Sequence, residues 1–351
     1  NKLVESNDRV EKLFKGEEID RVPVIPHMEA FAGKICNMGT KEFYMNPKSA
    51  YEAQVWCEEL FSYDGGIGYD IPYGYTQEFG GEIKFLEEPK LSYPKIISRP
   101  VNTKDDVEKL ILPDVRNSFY GSKVLGFNRR CYENNKGVSI SAGSPMNIAQ
   151  CIVEVGTLMR WIRKEPNLVH QIMRISTDYI ISLAQEHVRE FGARNVSAGM
   201  SCPMECHSMM SPKTFEKFSL PYIKEIYDKF SDMGISIDSV HLCGDHKKNL
   251  GYWKNDIILK ERTLITVGTE FDLSKLGEEL GEKYIIGGNL KNITLQTGSP
   301  RDVYNEARGL IEEMKYFKGG YILTPDCTLS YLTPSANLYA MIKASRDFGV
   351  Y

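Results

Sequence analysis

His241, Cys243 and Cys327 are the residues of this chain whose types could do chemistry together. Imidazole and thiolate are both zinc ligands, and a site with three protein ligands keeps a position open for a substrate atom. His241 and Cys243 stand two apart at the end of the apolar run SIDSVHLCG. If that run is a strand, alternation points both side chains to one face. Cys327 closes a second apolar run, GGYILTPDC. A structural zinc fits less well, because such sites use four protein ligands in short loops. Spacing alone leaves open that the three residues are unrelated.

The segment SCPMECHSMMSP, residues 201–212, offers a fourth and displaceable ligand. Glu205 is the first choice, with Cys206 and His207 as alternatives and Cys202 behind them. The competing reading is a lid whose thiols pack against Met204, Met209 and Met210. Three further polar residues close apolar runs: Asp70 after GGIGY, Glu270 after TLITVG and Asn289 at the end of KYIIGGN. Each is placed to exchange a proton or hydrogen bond with a leaving atom, or to support the ligands from behind. Tyr69, Tyr73, Tyr75, Phe79 and Trp253 could wall an aryl pocket or simply pack. His27 follows the first apolar run, and Asp326 should point away from Cys327 if its strand stays regular. Asp238 to Gly244 approaches a cobalamin-ligating D-x-H-x-x-G pattern, but the Asp is one residue too far away.

Strand ends must position all of these groups. RVPVIP (21–26), GGIGYDIP (65–72), GVSISAG (137–143), NVSAGM (195–200), SIDSVHLCG, TLITVGTE, KYIIGGNL and GGYILTPDC read as strands. Helices are expected over 1–20, 47–62, 145–164, 166–191, from Ser211, near 245–251, over LSKLGEELG, from Ser299 and from Pro334. Ser-Pro and Asn-Pro starts favour several of these. Thr103 to Asp106 and Ser299 to Asp302 are capping-box patterns. EIKFLEEPKLSYPKIIS (82–98) reads as a hairpin-like excursion. Short apolar runs alternating with amphipathic helices call for parallel strands covered by helices. The expected fold is α/β, an eight-stranded (β/α)8 TIM barrel over 1–351 as one domain, with 1–20 as an N-terminal helical extension. An open doubly wound sheet is the alternative, but no strand leads into a G-x-G-x-x-G turn.

Composition excludes other classes. The chain has 351 residues, 42% of them hydrophobic, and a formal charge of −4. It carries no basic block, so nucleic acid is not an expected partner. No apolar run is long enough for a membrane span. Its charged opening segment is not a signal peptide, and the absence of an initial Met points to a start further upstream. Eight cysteines in a chain this long do not make a small disulfide framework, which points to a reducing cytoplasm.

With these residues in hand, the chain resembles the uroporphyrinogen decarboxylase superfamily of (β/α)8 barrels. The resemblance is carried by RVPV, SPKTFEKFSLPYIKEI, HLCG, GGNL with LQTGSP, and GGYILTPDC with TPSANLYAM. A porphyrinogen decarboxylase would need arginines after its first strand. Here that stretch reads PHMEAFAG, and Arg21 alone cannot hold an octacarboxylate. The His-x-Cys and later Cys are instead similar to a zinc-dependent methyltransferase branch that works with a separate corrinoid protein. The resemblance implies His241, Cys243 and Cys327 as zinc ligands, Glu205 as the carboxylate that holds zinc without substrate, and a possible homodimer. It favours transfer from an aryl methyl ether to the Co(I) corrinoid of that protein, on the likeness of Asp245, Trp253, GTEFDL and KASRDFGVY to members with that role. Transfer from a methyl-corrinoid to a thiol is the alternative, and a zinc-dependent lyase a more distant one.

Overall fold

The computed structural model describes residues 6–86, 93–141 and 143–351, without the side chains of Ser6 and Asn7. Six parallel strands run in sequence order: β3 (Val138–Ser141), β4 (Val196–Ser201), β5 (Ser236–Leu242), β6 (Leu264–Val267), β7 (Ile285–Leu290) and β8 (Tyr321–Pro325). Two shorter strands, β1 (Glu82–Lys84) and β2 (Lys95–Ser98), form a separate antiparallel pair. This is the expected excursion, and the turn proposed between its runs lies partly outside the described residues.

Two irregular segments complete a (β/α)8 barrel. In residues 21–26, Val24 bridges Leu323 of β8 in parallel, and Ile25 N donates to Leu323 O at 3.0 Å. Asp64 N then donates to Val24 O at 2.8 Å, bringing in the next segment. Neither is a regular strand, which corrects the expectation for both RVPVIP and GGIGYDIP. Pro23 and Pro26 carry no N–H for a ladder, and Gly65, Gly66 and Gly68 weaken the other run. The Asp64 side chain takes over part of the ladder's work. Its Oδ2 accepts from Val24 N and from Arg21 Nη1, both at 2.9 Å, and Arg9 reaches Oδ1. Arg9 also holds Asp20 through two nitrogens. This ion network seats the helix Ser6–Lys15 at the N-terminal end of the strands.

Helices cover the strands where their apolar faces require it. Pro47–Phe61 is capped by Asn46, and Pro300–Met314 by the expected Ser299–Asp302 box. The latter buries Val303, Ala307, Ile311 and Met314. Residues 145–164 form two helices, Pro145–Ile152 and Val155–Lys164, because Val153 is extended and Glu154 starts a new cap. The helix expected from Ser211 is likewise two, Pro212–Phe218 and Leu220–Asp232, joined at Ser219. The helix Phe119–Glu133 was not legible in advance. Its N-terminus rests on the Glu78 carboxylate, which accepts from Tyr120 N at 2.5 Å and also takes the Ser118 and Tyr179 hydroxyls. A carboxylate is favoured there by the exposed N–H groups of a first turn. No helix among the described residues is long and apolar enough to cross a membrane.

Candidate metal centre and adjoining cavity

The C-terminal strand ends bring His241, Cys243 and Cys327 together. One ligand atom from each lies within 4.8 Å of the other two. A tetrahedral zinc with bonds of ordinary length needs ligand atoms about 3.3–3.8 Å apart, so small side-chain movements suffice. β5 ends at Leu242, yet Cys243 keeps the alternation and shares a side with His241. The neighbouring Cys327 thiol and burial raise the Cys243 pKa, while Cys243 and the nearby His241 draw that of Cys327 down.

His241 is oriented for ligation through Nε2. That atom is buried without a partner, whereas Nδ1 lies 2.9 Å from Thr266 Oγ1. Thr266 Oγ1 in turn lies 3.5 Å from Val240 O. If the threonine donates to that carbonyl, it accepts from Nδ1–H, and Nε2 keeps its lone pair for a metal.

Glu205 is fully buried and stands outside the three-residue cluster. Neither carboxylate oxygen makes a hydrogen bond of ordinary geometry. Burial pushes its pKa up to about 7, with the nearby Ser144 hydroxyl opposing the rise. Its loop packs against the end of β5: Asn249 Nδ2 donates to Glu205 O at 3.1 Å, and His207 N donates to Asp245 O at 2.7 Å. Gly244, at φ +88°, permits this approach, since a Cβ there would lie 3.0 Å from Cys206 Cβ. Cys206 contacts Ser208, His207 Nε2 accepts from Lys248 N, and Cys202 is buried. None of these three joins the cluster.

The other candidates separate by what they touch. Asn289 donates to Gly268 O and Phe271 O, both at 2.9 Å, pinning the loop that carries Glu270. Glu270 is exposed and folds back over Gly268, where a Cβ would lie 2.5 Å from its Oε2. Its charge helps hold Cys243 up in pKa. Asp326 turns to Asn292, whose Nδ2 donates to it at 2.7 Å. Trp253 is buried and Phe79 packs on Tyr179, so neither lines the cavities beside the cluster.

Two adjoining cavities open at the same strand ends, the second lined by Thr328, the residue after Cys327. One, about 180 Å³, is lined by His27, Glu29, Tyr69 and Asp70 among others. The second, about 270 Å³, shares Glu29 and Asp70 and adds Tyr73, Tyr75, Tyr93 and Thr328. A larger hollow of about 640 Å³ lies between Leu13–Ile19 and the Lys315–Gly320 turn, away from these strand ends. Glu29 Oε1 accepts from Thr328 Oγ1 at 3.2 Å. Burial pushes the Glu29 pKa up to about 8, and the negative charges of Asp70 and Cys327 add to the rise. Asp70 is also raised by burial, although Tyr120 Oη donates to it at 2.8 Å. His27 is exposed on the cavity wall, and the surrounding protein and the nearby His241 lower its pKa. The sequence patterns singled out neither Glu29 nor Thr266. A position just past the first strand end was the available signal for Glu29.

The chain belongs to the uroporphyrinogen decarboxylase (URO-D) family, whose model matches residues 5–348. It is 23% identical over 353 residues to a methylcobamide:CoM methyltransferase MtbA of Methanosarcina mazei, covering 97% of each chain. A methylated-thiol–coenzyme M methyltransferase of the same organism is 27% identical over 205 residues, 58% of this chain and 51% of that one. A uroporphyrinogen decarboxylase of Salinibacter ruber is 22% identical over 316 residues, 85% of this chain and 83% of its own. Among solved structures, a methyltransferase from Methanosarcina mazei superposes with a TM-score of 0.80 at 21% identity, covering 99% of both chains. That likeness establishes the fold.

Proposed function

We propose that this chain is a zinc-dependent methyltransferase that moves a methyl group between the corrinoid of a separate protein and a small thiol. The observation that carries the reading is the convergence of His241, Cys243 and Cys327 with His241 Nε2 buried and unpartnered. These are the donors that suit zinc, and three of them leave a position for the substrate. A bound zinc would supply Lewis acidity, making an acceptor thiol more acidic.

The residues around that position have separate tasks. Thr266 fixes the imidazole, and Asn289 fixes the loop bearing Glu270. Glu205 is a displaceable fourth ligand, reached by movement of its loop. The cavity of Glu29 and Asp70 holds the rest of the acceptor. In the transfer, the acceptor thiol gives up its proton to solvent and its sulfur supplies the electron pair of the new S–C bond. The methyl leaves cobalt(III) without the old bonding pair, which remains as cobalt(I).

The names of the relatives support the thiol direction over the ether donor that the sequence resemblance favoured. One feature favours the ether: the tyrosine-lined cavity, with Tyr73, Tyr75 and Tyr93, suits an aryl group. Methylcobalamin offered with a panel of thiols tests the first reading. Loss of its methyl–cobalt absorption, with methyl thioether formed and zinc required, is the expected result. Inert thiols together with methyl–cobalt formation from cobalt(I) and aryl methyl ethers would reverse the direction. Failure of both with an active corrinoid protein would leave the lyase reading.

A further inference from the structure

The cavity beside the metal cluster has an unusual charge for a site whose relatives are named for coenzyme M, 2-mercaptoethanesulfonate. Glu29 and Asp70 line both cavities together, close enough to repel each other. No lysine or arginine is among their described lining residues. Among the described residues, cations at this end donate to backbone carbonyls. Arg99 Nε donates to Gln150 O at 3.1 Å, Lys34 Nζ to Thr333 O at 2.9 Å, and Lys247 Nζ to Glu270 O at 3.3 Å. A sulfonate placed here would meet the carboxyl groups of Glu29 and Asp70 and, among the described lining residues, no lysine or arginine.

The aromatic groups match the same charge. Tyr73 and Tyr93 expose 38% and 46% of their surface although both line the cavity, leaving ring area uncovered for a ligand. Tyr75 is buried beneath them with its hydroxyl tied to Tyr120. Ring faces attract ammonium and quaternary ammonium groups, most strongly where water is excluded. Glu29 is linked to Thr328, the residue after Cys327, so the carboxylate pair lies a short distance from the metal position.

Resting on the thiol reading above, we propose that the small acceptor is cationic: a thiol whose short arm ends in an ammonium or quaternary ammonium group held by Glu29 and Asp70 against Tyr73, Tyr75 and Tyr93. Empty, Glu29 is held largely protonated near neutral pH, and a bound cation favours the ionised form of both carboxyl groups. The acceptor of this chain then differs in charge from that of the relatives.

Three thiols of equal length separate the possibilities: 2-aminoethanethiol, 2-mercaptoethanol and 2-mercaptoethanesulfonate. Each is titrated calorimetrically into the zinc-loaded full chain. The aminothiol is expected to bind at least about tenfold tighter than the neutral thiol, and the sulfonate most weakly. The same series on Glu29→Gln/Asp70→Asn separates pocket charge from differences in thiol acidity, and the preference should shrink toward that of free zinc complexes. Wild-type protein that prefers the sulfonate, or a preference unchanged in the variant, overturns the charge assignment while the thiol reading stands. Protein that holds zinc but binds none of the three overturns the thiol reading and the inference with it.

Discussion

The two sides of the barrel mouth are built differently. From β3 to β8 the strands pair in an unbroken parallel ladder, and that side supplies His241 and Cys243 from β5 and Cys327 from β8. The other side consists of the irregular segments after Pro23 and Gly65, and supplies His27, Glu29, Asp70 and the tyrosines. His27, Glu29 and Tyr73 all have positive φ, at 50°, 37° and 56°. Such backbone costs on the order of 1–3 kcal/mol per residue and persists only where the surroundings enforce it. Metal donors must meet at fixed distances, which a ladder provides. A cavity needs side chains turned inward at chosen places, which irregular backbone provides.

Breaking the ladder side at its ligands should have the largest effect. Cys243→Ala or His241→Ala should take bound zinc from about one equivalent to near none, because two remaining donors hold the ion poorly. Metal analysis after dialysis, with methyl transfer followed in parallel, checks this. Full retention of zinc by both variants would remove the metal centre from these residues.

The irregular side should break at its ionic support. Asp64→Ala leaves Arg21 without its carboxylate and Val24 N without its acceptor. Loss of one partner from a buried pair costs about 3–5 kcal/mol. Urea unfolding should show that loss, while zinc content of the folded fraction stays near wild type. A variant as stable as wild type would mean that the proline-bearing segment needs no such support.

Glu205 gives a smaller effect with a definite sign. Its folded pKa of about 7 lies above the ordinary value of 4.5, so the folded chain holds the proton more tightly. Stability therefore falls as pH rises from about 4.5 to about 7, and the loss is complete above that window. In metal-free protein, Glu205→Gln should be about 3 kcal/mol more stable than wild type at pH 8 and close to it at pH 4.5. If the zinc form reverses that order at pH 8, the carboxylate ligates the metal. Thermal melts of both forms at the two pH values give the answer.

Thr266→Val should be the mildest. Losing an outer partner of a ligating histidine weakens metal affinity about 10–100-fold. Chelator competition measures the drop, and imidazole nitrogen chemical shifts report whether the Nδ1–H tautomer is lost. An unchanged tautomer and affinity would show that β5 packing alone orients His241.

Much of the ladder side was legible in the sequence. SIDSVHLCG and GGYILTPDC are apolar runs ending in metal-binding residue types, and local alternation put His241 and Cys243 on one side. The Ser299 box and Pro47 at a first helical turn are equally local, so their helices were readable. The irregular side resisted the same reading. Apolar runs such as RVPVIP look like strands, but their prolines and glycines interrupt pairing by an amount that depends on neighbours such as Asp64. Glu29 passed unnoticed because nothing in PHMEAFAG reveals a carboxylate facing Asp70 forty-one positions later.

By itself, then, the sequence determined the strand and helix alternation, the donor types and the side shared by His241 and Cys243, all of which follow from spacing within one element. Only the tertiary structure decided that Cys327 meets them, that Glu205 stands apart and unpartnered, and that Glu29 and Asp70 share a cavity. Those relations join residues far apart in the chain. They depend on barrel closure and on which polar atoms burial leaves without water, and no local pattern encodes either.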